Sequence, residues 1–317
     1  MTSRFHSRVN SRFNFRFKSG GVRAATVLAV AAVVGSAFTS APANAARLVG
    51  LTNMNELLTF DSAVPGSTNA VAISNLAAGE SIISIDYRNT DQQIYGLGSL
   101  GTLYALNAST GVATAFGAGV VPAVGAGVSY EIDWNPANNN LRVIGNAAAP
   151  NSNRAFNFAS GVTAVQTALT RADGGAALSI VGAAYNNNFS GSVAADLSLY
   201  YLDAASDALF VNRSAFAGGV LTKVADLTLG GVAFGLSQAT GFDIGADGQA
   251  FAAWGENLYG VDLGSGALSL RGSIGANHTV IGLTAMAVPE PESYALLLGG
   301  LGVIGFVVRR RSRNAAQ

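Results

Sequence analysis

Ile82-Ile83-Ser84-Ile85-Asp86-Tyr87 is an apolar segment that ends in an acidic and an aromatic residue, and similar segments recur along the chain. Its β-branched and aromatic residues are typical of a β-strand. The copies lie at intervals of about fifty residues, and a period of this size indicates stacked or radially arranged units. The other four copies are residues 129–134, 180–185, 239–244 and 280–285.

A second repeated element is a hairpin whose two strands are joined by a polar or glycine-containing turn. Its clearest copies are residues 103–116, with the turn Ser109-Thr110-Gly111, and residues 258–270, with the turn Ser265-Gly266. Weaker copies are residues 57–73, 155–165 and 199–212. Another strand lies between the two elements, as in residues 93–97 and 140–144. Each unit is therefore predicted to contain four strands.

The order of the elements indicates a closed ring. The chain begins with the later parts of a unit, at residues 47–51 and 56–73, and the missing opening strand occurs alone at residues 280–285. A β-propeller closed by pairing of its N- and C-terminal segments explains this split unit. We therefore predict an all-β chain with five four-stranded blades. An open solenoid or a sandwich is the alternative, although neither accounts for the split.

The composition favours strands and excludes several kinds of site. Glycine accounts for 39 of the 317 residues, and no part of residues 46–287 has sustained helical periodicity. Helices are expected only in the two terminal segments. The chain has no cysteine, which excludes disulfides, thiolate metal sites and cysteine nucleophiles.

The overall neutral charge conceals an acidic central region. Ten basic residues lie near the two chain ends, so residues 46–287 keep eight basic and sixteen acidic residues, a net charge of −8. This charge argues against binding of nucleic acid through its phosphates and is suited to solubility outside the cell.

Both ends of the chain have the features of export signals. Residues 1–45 combine a basic beginning, an apolar run at 24–38 and the small-residue sequence Ala43-Asn44-Ala45, which predicts a signal peptide cleaved after Ala45. The absence of an Arg-Arg pair before the apolar run favours the Sec export machinery. Residues 46–287 are then the mature domain, and residues 288–317 form a C-terminal tail.

The tail has three unlike parts in a fixed order. It begins with Val288-Pro289-Glu290-Pro291, where the two prolines keep the backbone extended, and continues with the uncharged run 294–308. As a helix this run would extend roughly 22 Å, which is short for a transmembrane helix in a core of about 30 Å. The cluster Arg309-Arg310-Arg311 would keep the end of the chain in the cytoplasm. An ordinary C-terminal membrane anchor is the alternative interpretation.

These three parts resemble the PEP-CTERM sorting signal of Gram-negative bacteria over about residues 288–313. The resemblance implies recognition by an exosortase, a membrane cysteine protease that removes the tail, in strains that make extracellular polysaccharide. The protein is then expected to cross the inner membrane, to be anchored transiently by its tail, and to end in the envelope or outside the cell.

The central region resembles the secreted bacterial family known as domain of unknown function 4394 (DUF4394). The similar stretches include residues 76–80 leading into Ile85-Asp86-Tyr87-Arg88, residues 96–106, Ile132-Asp133-Trp134-Asn135-Pro136 and residues 183–189. The resemblance covers most of residues 48–283. It implies a propeller-like β fold and no particular activity.

Aligning the opening strands brings acidic residues to equivalent positions. Ser84, Glu131 and three glycines share one level, and two residues further on lie Asp86, Asp133, Ala184, Asp243 and Thr284. Since side chains alternate along a strand, both levels lie on one face, and the small residues suit a crowded axis. We expect Asp86, Glu131, Asp133 and Asp243 to gather near one mouth of the central channel.

Two interpretations of these acids remain open. Four carboxylates could hold a hard cation such as Ca²⁺, which takes six to eight oxygen ligands. Alternatively, each Asp could cap its own turn by accepting backbone N–H groups. No other cofactor is predicted. His278 is the only histidine of the mature domain, which excludes a multi-histidine metal site there.

The sequence favours a non-enzymatic binding or structural protein of the exopolysaccharide or biofilm. The alternative is an extracellular propeller enzyme, a glycan hydrolase or lyase, with carboxylates at the channel mouth acting as acid and base. The residues Trp134, Tyr200, Tyr201 and Trp254 are expected in the core, and stacking on sugar rings is the second possibility for them.

Overall fold

The chain folds almost entirely into β-strands in a computed structural model, which describes residues 45–117, 119–121, 128–146, 153–213, 216–236, 240–275, 279–286, 299–302 and 304. Within this part, 23 strands form five sheets, and two short 3-10 turns occur at Ala194–Asp196 and Phe216–Gly218. Residues 299–302 and 304 of the tail are helical. Among the described residues there is no helix of the length and apolar character needed to cross a membrane.

Each sheet is one blade of a five-bladed β-propeller, which confirms the predicted fold. Blade 1 contains β1 (Arg47–Thr52), β2 (Glu56–Asp61), β3 (Val64–Ala72) and β23 (Val280–Met286). Blade 2 contains β4 (Ile82–Arg88), β5 (Gln93–Gly98), β6 (Leu103–Leu106) and β7 (Ala113–Gly117). Blade 3 contains β8 (Tyr130–Trp134), β9 (Asn140–Gly145), β10 (Asn153–Asn157) and β11 (Val162–Val165). Blade 4 contains β12 (Thr170–Arg171), β13 (Ile180–Tyr185), β14 (Leu199–Asp203), β15 (Ala208–Asn212) and β16 (Val220–Asp226). Blade 5 contains β17 (Thr228–Leu229), β18 (Val232–Ala233), β19 (Thr240–Ile244), β20 (Ala250–Trp254), β21 (Asn257–Val261) and β22 (Ala267–Ser273).

Blade 1 is assembled from both ends of the domain. Its strand order is β23-β1-β2-β3, so the last strand of the propeller lies beside the first. The two strands are antiparallel, with Arg47 opposite Met286 and Leu48 opposite Ala285. The register shifts once, between Leu51 and Thr52. The strand at 280–285 thus completes the unit that begins at Arg47.

Two blades differ in detail from the predicted four strands. Blade 4 carries the two-residue strand β12 in parallel beside β16, and blade 5 carries β17 and β18 beyond β22. The repeat pattern predicts the hairpin at residues 199–212 as the third and fourth strands of blade 4. This prediction is wrong by one strand. β14 pairs with the innermost strand β13, and the outermost full strand is β16, which the sequence analysis missed.

Burial decreases from the axis to the rim. The innermost strands β4, β8, β13, β19 and β23 each pack against the innermost strands of both neighbouring blades and form a ring. Every residue of β13 and β19 is buried, because these strands are covered on both faces. Between blades lie apolar clusters, such as Val181, Phe242 and Ile244 between blades 4 and 5. Outer strands such as β7 and β22 expose most of their residues.

The predicted hairpin turns share one local structure. In blade 2 the Asn107 side-chain oxygen accepts the N–H groups of Ser109 and Thr110, and Gly111 follows with a φ of 73°. In blade 5 the carboxylate of Asp262 makes the equivalent bonds, and Gly266 has a φ of 70°. A positive φ is readily adopted by glycine, so the similar sequence produces the same turn.

The ring of innermost strands is crowded where the sequence places glycines. A Cβ atom on Gly241 would lie 2.6 Å from the backbone carbonyl carbon of Gly282 and 2.6 Å from the backbone nitrogen of Leu283. A Cβ on Gly182 would lie 2.6 Å from the Cβ of Phe242. Blades 4, 5 and 1 therefore approach one another closely because these positions lack side chains.

We expect Gly241→Ala to destabilise the propeller by about 1–3 kcal/mol, because the added methyl group overlaps backbone that cannot rotate away. Gly282→Ala is the matched control, since its Cβ would have its nearest contact at 3.4 Å, with the Leu51 Cβ. Chemical denaturation of both variants measures the difference. Equal unfolding free energies would contradict the close approach.

Candidate functional site

Three carboxyl groups meet on the propeller axis, as the sequence alignment of the innermost strands predicts. Asp86, Asp133 and Asp243 lie at equivalent positions of β4, β8 and β19, and each is at most 2% exposed. One carboxyl oxygen of each lies within 4.8 Å of the others. We call these three residues the axial carboxyl cluster. Thr284 of β23 is buried at the equivalent position of blade 1.

Side-chain-to-backbone hydrogen bonds connect the innermost strands around the axis. Each innermost strand has one residue at the level of the cluster. In four of the five strands, the side chain of this residue accepts a hydrogen bond from the next strand. The donor is the N–H of the residue that follows the equivalent position there. The Trp134 N–H donates to Asp86 Oδ2 (2.7 Å), the Tyr185 N–H to Asp133 Oδ1 (3.3 Å), the Ala285 N–H to Asp243 Oδ2 (2.6 Å) and the Tyr87 N–H to Thr284 Oγ1 (2.9 Å). The interruption is at Ala184, which has no polar side chain; there the Ile244 N–H donates to the adjacent Asp243 Oδ1 (2.6 Å). The ring of bonds therefore ties neighbouring blades together.

The Thr284 hydroxyl indicates that the cluster holds a proton. Besides accepting the Tyr87 N–H, its Oγ1 lies 2.9 Å from Asp86 Oδ1 and 3.0 Å from Asp243 Oδ2. A hydroxyl has one proton to donate and can accept a second bond. Thr284 can donate its proton to only one of the two carboxyl groups. The contact with the other is a hydrogen bond only if that carboxyl group is protonated and donates to Oγ1.

Burial agrees with this protonation. It raises the pKa of Asp243 to about 7, against the lowering effect of the N–H groups of Ala285 and Ile244. Burial is also the largest reason why the pKa of Asp86 is raised well above its ordinary value, and the negative charge of Asp243 adds to it. The pKa of Asp133 is raised by burial and by both other carboxylates. The cluster therefore binds protons at pH values where ordinary carboxyl groups are ionised.

Glu131 does not join the cluster. It lies two residues before Asp133 on β8, where Ser84 Oγ donates to its Oε2 (3.3 Å), and burial raises the pKa of its carboxyl group well above the ordinary value. The expectation that each Asp caps its own turn is incomplete, because most of the bonds cross to the next strand. A cation held by Asp86, Glu131, Asp133 and Asp243 therefore stays a prediction, and the three Asp residues are the part of that set found together.

A connection crosses the ring on the side nearest the cluster. Asn188, in the segment between β13 and β14, is buried. Asn89, which follows β4, donates through Nδ2 to the Asn188 carbonyl oxygen (2.9 Å), and Asn188 Nδ2 donates to the Ile244 carbonyl oxygen (3.5 Å). The ends of β4 and β19 are thereby bridged, and the carboxyl groups below them are buried rather than open at a mouth.

The aromatic residues named in the sequence belong to the core. Trp134 and Tyr201 are fully buried, and Tyr200 and Trp254 are half-buried and pack against the apolar cluster between blades 4 and 5. Trp134 lies edge-on to Tyr95 of the adjacent blade, with ring centroids 5.1 Å apart. The core interpretation of these side chains is therefore favoured over sugar stacking.

A cleft between blades 3 and 4 was missed by sequence reasoning. It encloses about 290 Å³ and is lined by Arg142 and by several amide side chains and a phenylalanine. The lining residues come from β9, β10 and the β8–β9 turn of blade 3, from the connection that follows β11, and from the short turn Phe216–Gly218 of blade 4. No repeat or motif brings them together. The one signal for this cleft in the sequence is Arg142, a basic residue within a predicted apolar strand of an acidic domain.

Several predicted residues lie outside the described part of the chain. They are the signal-peptide residue Ala43, His278, and the sorting residues Val288, Pro289, Glu290, Pro291, Arg309, Arg310 and Arg311. Ala45, the predicted last residue of the signal peptide, is the first described residue. The boundaries at residues 45 and 287 stay predictions, although the last strand of the propeller ends at Met286.

Comparison with known proteins gives matches to both parts of the chain. The sequence model described as Domain of unknown function (DUF4394) matches residues 56–284, and that of the PEP-CTERM protein-sorting motif matches residues 287–311. Both resemblances drawn from the sequence are thereby confirmed. No curated protein matches the chain significantly.

One similar solved structure is a structural genomics protein of unknown function from Bacteroides thetaiotaomicron VPI-5482. The two chains are 14% identical, with a TM-score of 0.43, and the match covers 73% of this chain and 58% of that protein. The chain therefore spans less than two thirds of the length of this relative.

Proposed function

Because the chain belongs to the family described as Domain of unknown function (DUF4394) and ends in a PEP-CTERM protein-sorting motif, we propose that it is an exported binding or structural protein of the extracellular polysaccharide. A PEP-CTERM motif marks an exported protein with a C-terminal membrane anchor, which an exosortase processes. The mature propeller is then retained in the envelope or the extracellular polymer. The sorting motif is the observation that carries this proposal.

The position of the motif supports release of an intact domain. The closing strand ends at Met286, and the matched motif begins at residue 287. A cut within the motif therefore removes no strand of the propeller and exposes no sheet edge. Processing needs no unfolding, and the released domain keeps the pairing between β1 and β23.

The axial carboxyl cluster supports a binding or structural role rather than catalysis. Its carboxyl groups are buried and accept backbone N–H groups from neighbouring blades. A general acid or base must reach the substrate at hydrogen-bond distance, and these groups are occupied with holding the ring together. We therefore do not assign the glycan hydrolase or lyase activity.

Glu290→Gln is expected to prevent removal of the tail, because it changes the central residue of the Pro-Glu-Pro motif. Glu292→Gln is the matched control, since it makes the same change at the residue that directly follows Pro-Glu-Pro. Both variants would be produced in an exosortase-containing strain, with one epitope in the propeller and one at the C-terminus. Fractionation then separates membrane, polymer and medium.

The wild type and Glu292→Gln should lose the C-terminal epitope and appear in the polymer fraction. Glu290→Gln should keep the epitope and remain in the membrane, as should the wild type in a strain without exosortase. Processing of Glu290→Gln at the normal rate would refute recognition through this motif. A processed wild type found only in the medium would refute retention by the polymer.

A further inference from the structure

The cleft between blades 3 and 4 is built around a buried arginine. Arg142 lies on β9, opposite Asp133 of β8, and is 7% exposed. Its Nε donates to the Tyr185 hydroxyl (3.2 Å), and its Nη1 donates to Asn153 Oδ1 (2.9 Å) and to Gln166 Oε1. These bonds hold the guanidinium group in one orientation at the wall of the cavity.

One nitrogen of this guanidinium group has no acceptor among the described residues. Among the described residues, no oxygen accepts a hydrogen bond from Arg142 Nη2, and the three ion pairs there involve other residues. This nitrogen is not among the fully buried side-chain atoms that lack a partner, so an acceptor that enters the cleft can reach it. The facing Asp133 does not complete the set, because it makes no hydrogen bond or ion pair with Arg142.

Amide groups and an aromatic ring surround the same cavity. Asn138 uses its Oδ1 to accept the Asn140 N–H (3.0 Å), and within the described chain its Nδ2, the Asn140 side chain and the Gln166 Nε2 make no hydrogen bond. Phe216 borders the cleft, with its ring centroid 6.0 Å from Arg142 Cζ. Unused amides beside a cation and a ring suit a ligand that has hydroxyl groups, an anionic group and an apolar face.

The size of the cavity restricts this ligand to a small unit. Its volume of about 290 Å³ is near the lower end of ligand pockets, which enclose about 300–1,000 Å³. A single sugar residue matches this size, and a polymer would place one residue in the cleft. Residues 46–287 have a net charge of −8, which repels a dense polyanion. A single cationic site on this domain is therefore suited to one carboxylate group.

We infer that this cleft binds a carboxylate-bearing sugar residue, a uronate, whose carboxylate accepts hydrogen bonds from Arg142 and whose hydroxyl groups bind the free amides. The inference rests on the proposed function, because it names the part of the extracellular polymer that the propeller recognises. Arg142 selects the carboxylate, and Asn138, Asn140 and Gln166 select the hydroxyl groups.

Calorimetric titration of the full-length chain in mild detergent with galacturonate and with galactose tests this site, since the two sugars differ in the carboxylate. Galacturonate should bind about tenfold or more tightly than galactose. Arg142→Gln should weaken galacturonate binding about ten- to hundredfold, as expected for loss of a charged hydrogen bond. Arg271→Gln is the matched control, because Arg271 is exposed on β22 in the outer part of blade 5, and its binding should equal that of the wild type.

A second variant keeps the test decisive if Arg142→Gln unfolds. Asn140→Ala removes an amide that makes no hydrogen bond within the described chain, so its melting temperature should be unchanged while binding of galacturonate weakens about three- to tenfold. Equal binding of the two sugars, or full binding by the folded Arg142→Gln or Asn140→Ala variant, overturns the inference. Acetate that competes as well as galacturonate at equal concentration also overturns it, because the sugar is then not recognised.

Sedimentation with the strain's purified polysaccharide separates this inference from the proposed function. Binding of the polymer by the wild type but not by folded Arg142→Gln supports both. Polymer binding that Arg142→Gln retains leaves the proposed function standing and overturns the cleft. Galacturonate binding without polymer binding supports the cleft and overturns the polysaccharide role, and shortening of the polymer chains would contradict a purely binding function.

Discussion

Deletion of residues 279–286 is expected to abolish the cooperative unfolding transition of the propeller. The deletion removes β23, which pairs along the whole of β1 and contributes the buried side chains of Val280 and Leu283 to the core. It also removes Thr284 and the Ala285 N–H from the axial ring. The remaining ring would be left with a gap between blades 5 and 2.

The loss is expected to exceed the stability of the domain. Folded domains are stable by about 5–15 kcal/mol in total, and burying a single large aliphatic side chain contributes about 1.5–3 kcal/mol. The deletion removes several such side chains, leaves the β1 backbone without its partner, and removes two hydrogen-bond partners of the Asp243 carboxyl group, Thr284 and the Ala285 N–H. Circular dichroism and calorimetry should then give a broad, non-cooperative melt.

A transplanted strand is the matched control. Since Met286 lies opposite Arg47, residues 280–286 followed by a short glycine turn can be placed directly before Arg47 as a hairpin in the native register. This variant should recover a cooperative melt, because it restores every contact of β23 within blade 1. A sharp melt of the deletion variant at the wild-type temperature would contradict closure by this strand.

The sequence predicts the propeller because its repeats and its split unit carry the topology. The strand at 280–285 has no neighbours of its own in the sequence, so it can only complete the unit that begins at Arg47. Blade 4 was misassigned because β14 and β15 are both apolar and are joined by a turn that the Asp203 carboxylate caps, as in the outer hairpins. The missed β16 has mostly exposed or half-exposed residues, so its sequence has little apolar periodicity to identify it.

The sequence predicts where the axial site lies, but only some of the residues that form it. Alternation along a strand correctly places Asp86, Asp133 and Asp243 together, but Glu131 is two residues away from that level, about 6.6 Å along the strand. The cleft around Arg142 was not predictable, because Gln166 and Phe216 reach it from irregular connections whose course no periodicity fixes.

The three buried carboxyl groups are expected to make the propeller less stable as the pH rises from about 5 to 8. An ordinary Asp loses its proton near pH 4 in the unfolded chain, whereas in the folded chain burial raises the pKa of Asp243 to about 7 and raises those of Asp86 and Asp133 as well. Between these values the folded state binds more protons than the unfolded state. Stability is therefore greatest at low pH and is lost as the pH rises through the folded-state pKa values.

Other acidic residues do not reverse this sign. Glu131 has a raised pKa and contributes in the same direction. The pKa values of Asp173 and Asp262 are lowered by hydrogen bonds from nearby side chains, so their contributions change only below about pH 4. The melting temperature should fall by on the order of 10 °C between pH 5 and pH 8, because a few kcal/mol corresponds to such a change in a domain of this size.

Asp133→Asn should remove much of this fall and raise the melting temperature at pH 8. The carboxyl group of Asp133 accepts one hydrogen bond, from the Tyr185 N–H, which an asparagine carbonyl oxygen can accept equally. The new amide adds donors beside the carboxyl groups of Asp86 and Asp243 and removes one negative charge from the cluster. Asp262→Asn is the control, because Asp262 is an exposed turn residue and its change should leave the fall between pH 5 and 8 intact.

Repeating these melting measurements in millimolar Ca²⁺ and in chelator shows whether a cation or protons neutralise the axial carboxyl cluster. A cation bound by Asp86, Asp133 and Asp243 would replace the protons, so Ca²⁺ would raise the melting temperature at pH 8 in the wild type and much less in Asp133→Asn. An unchanged wild-type melt in Ca²⁺ would refute the cation site and leave protons as the neutralising species. A wild-type melting temperature that is constant or rises from pH 5 to 8 in chelator would refute the proton-binding cluster, since three buried carboxyl groups cannot all ionise at no cost to the fold.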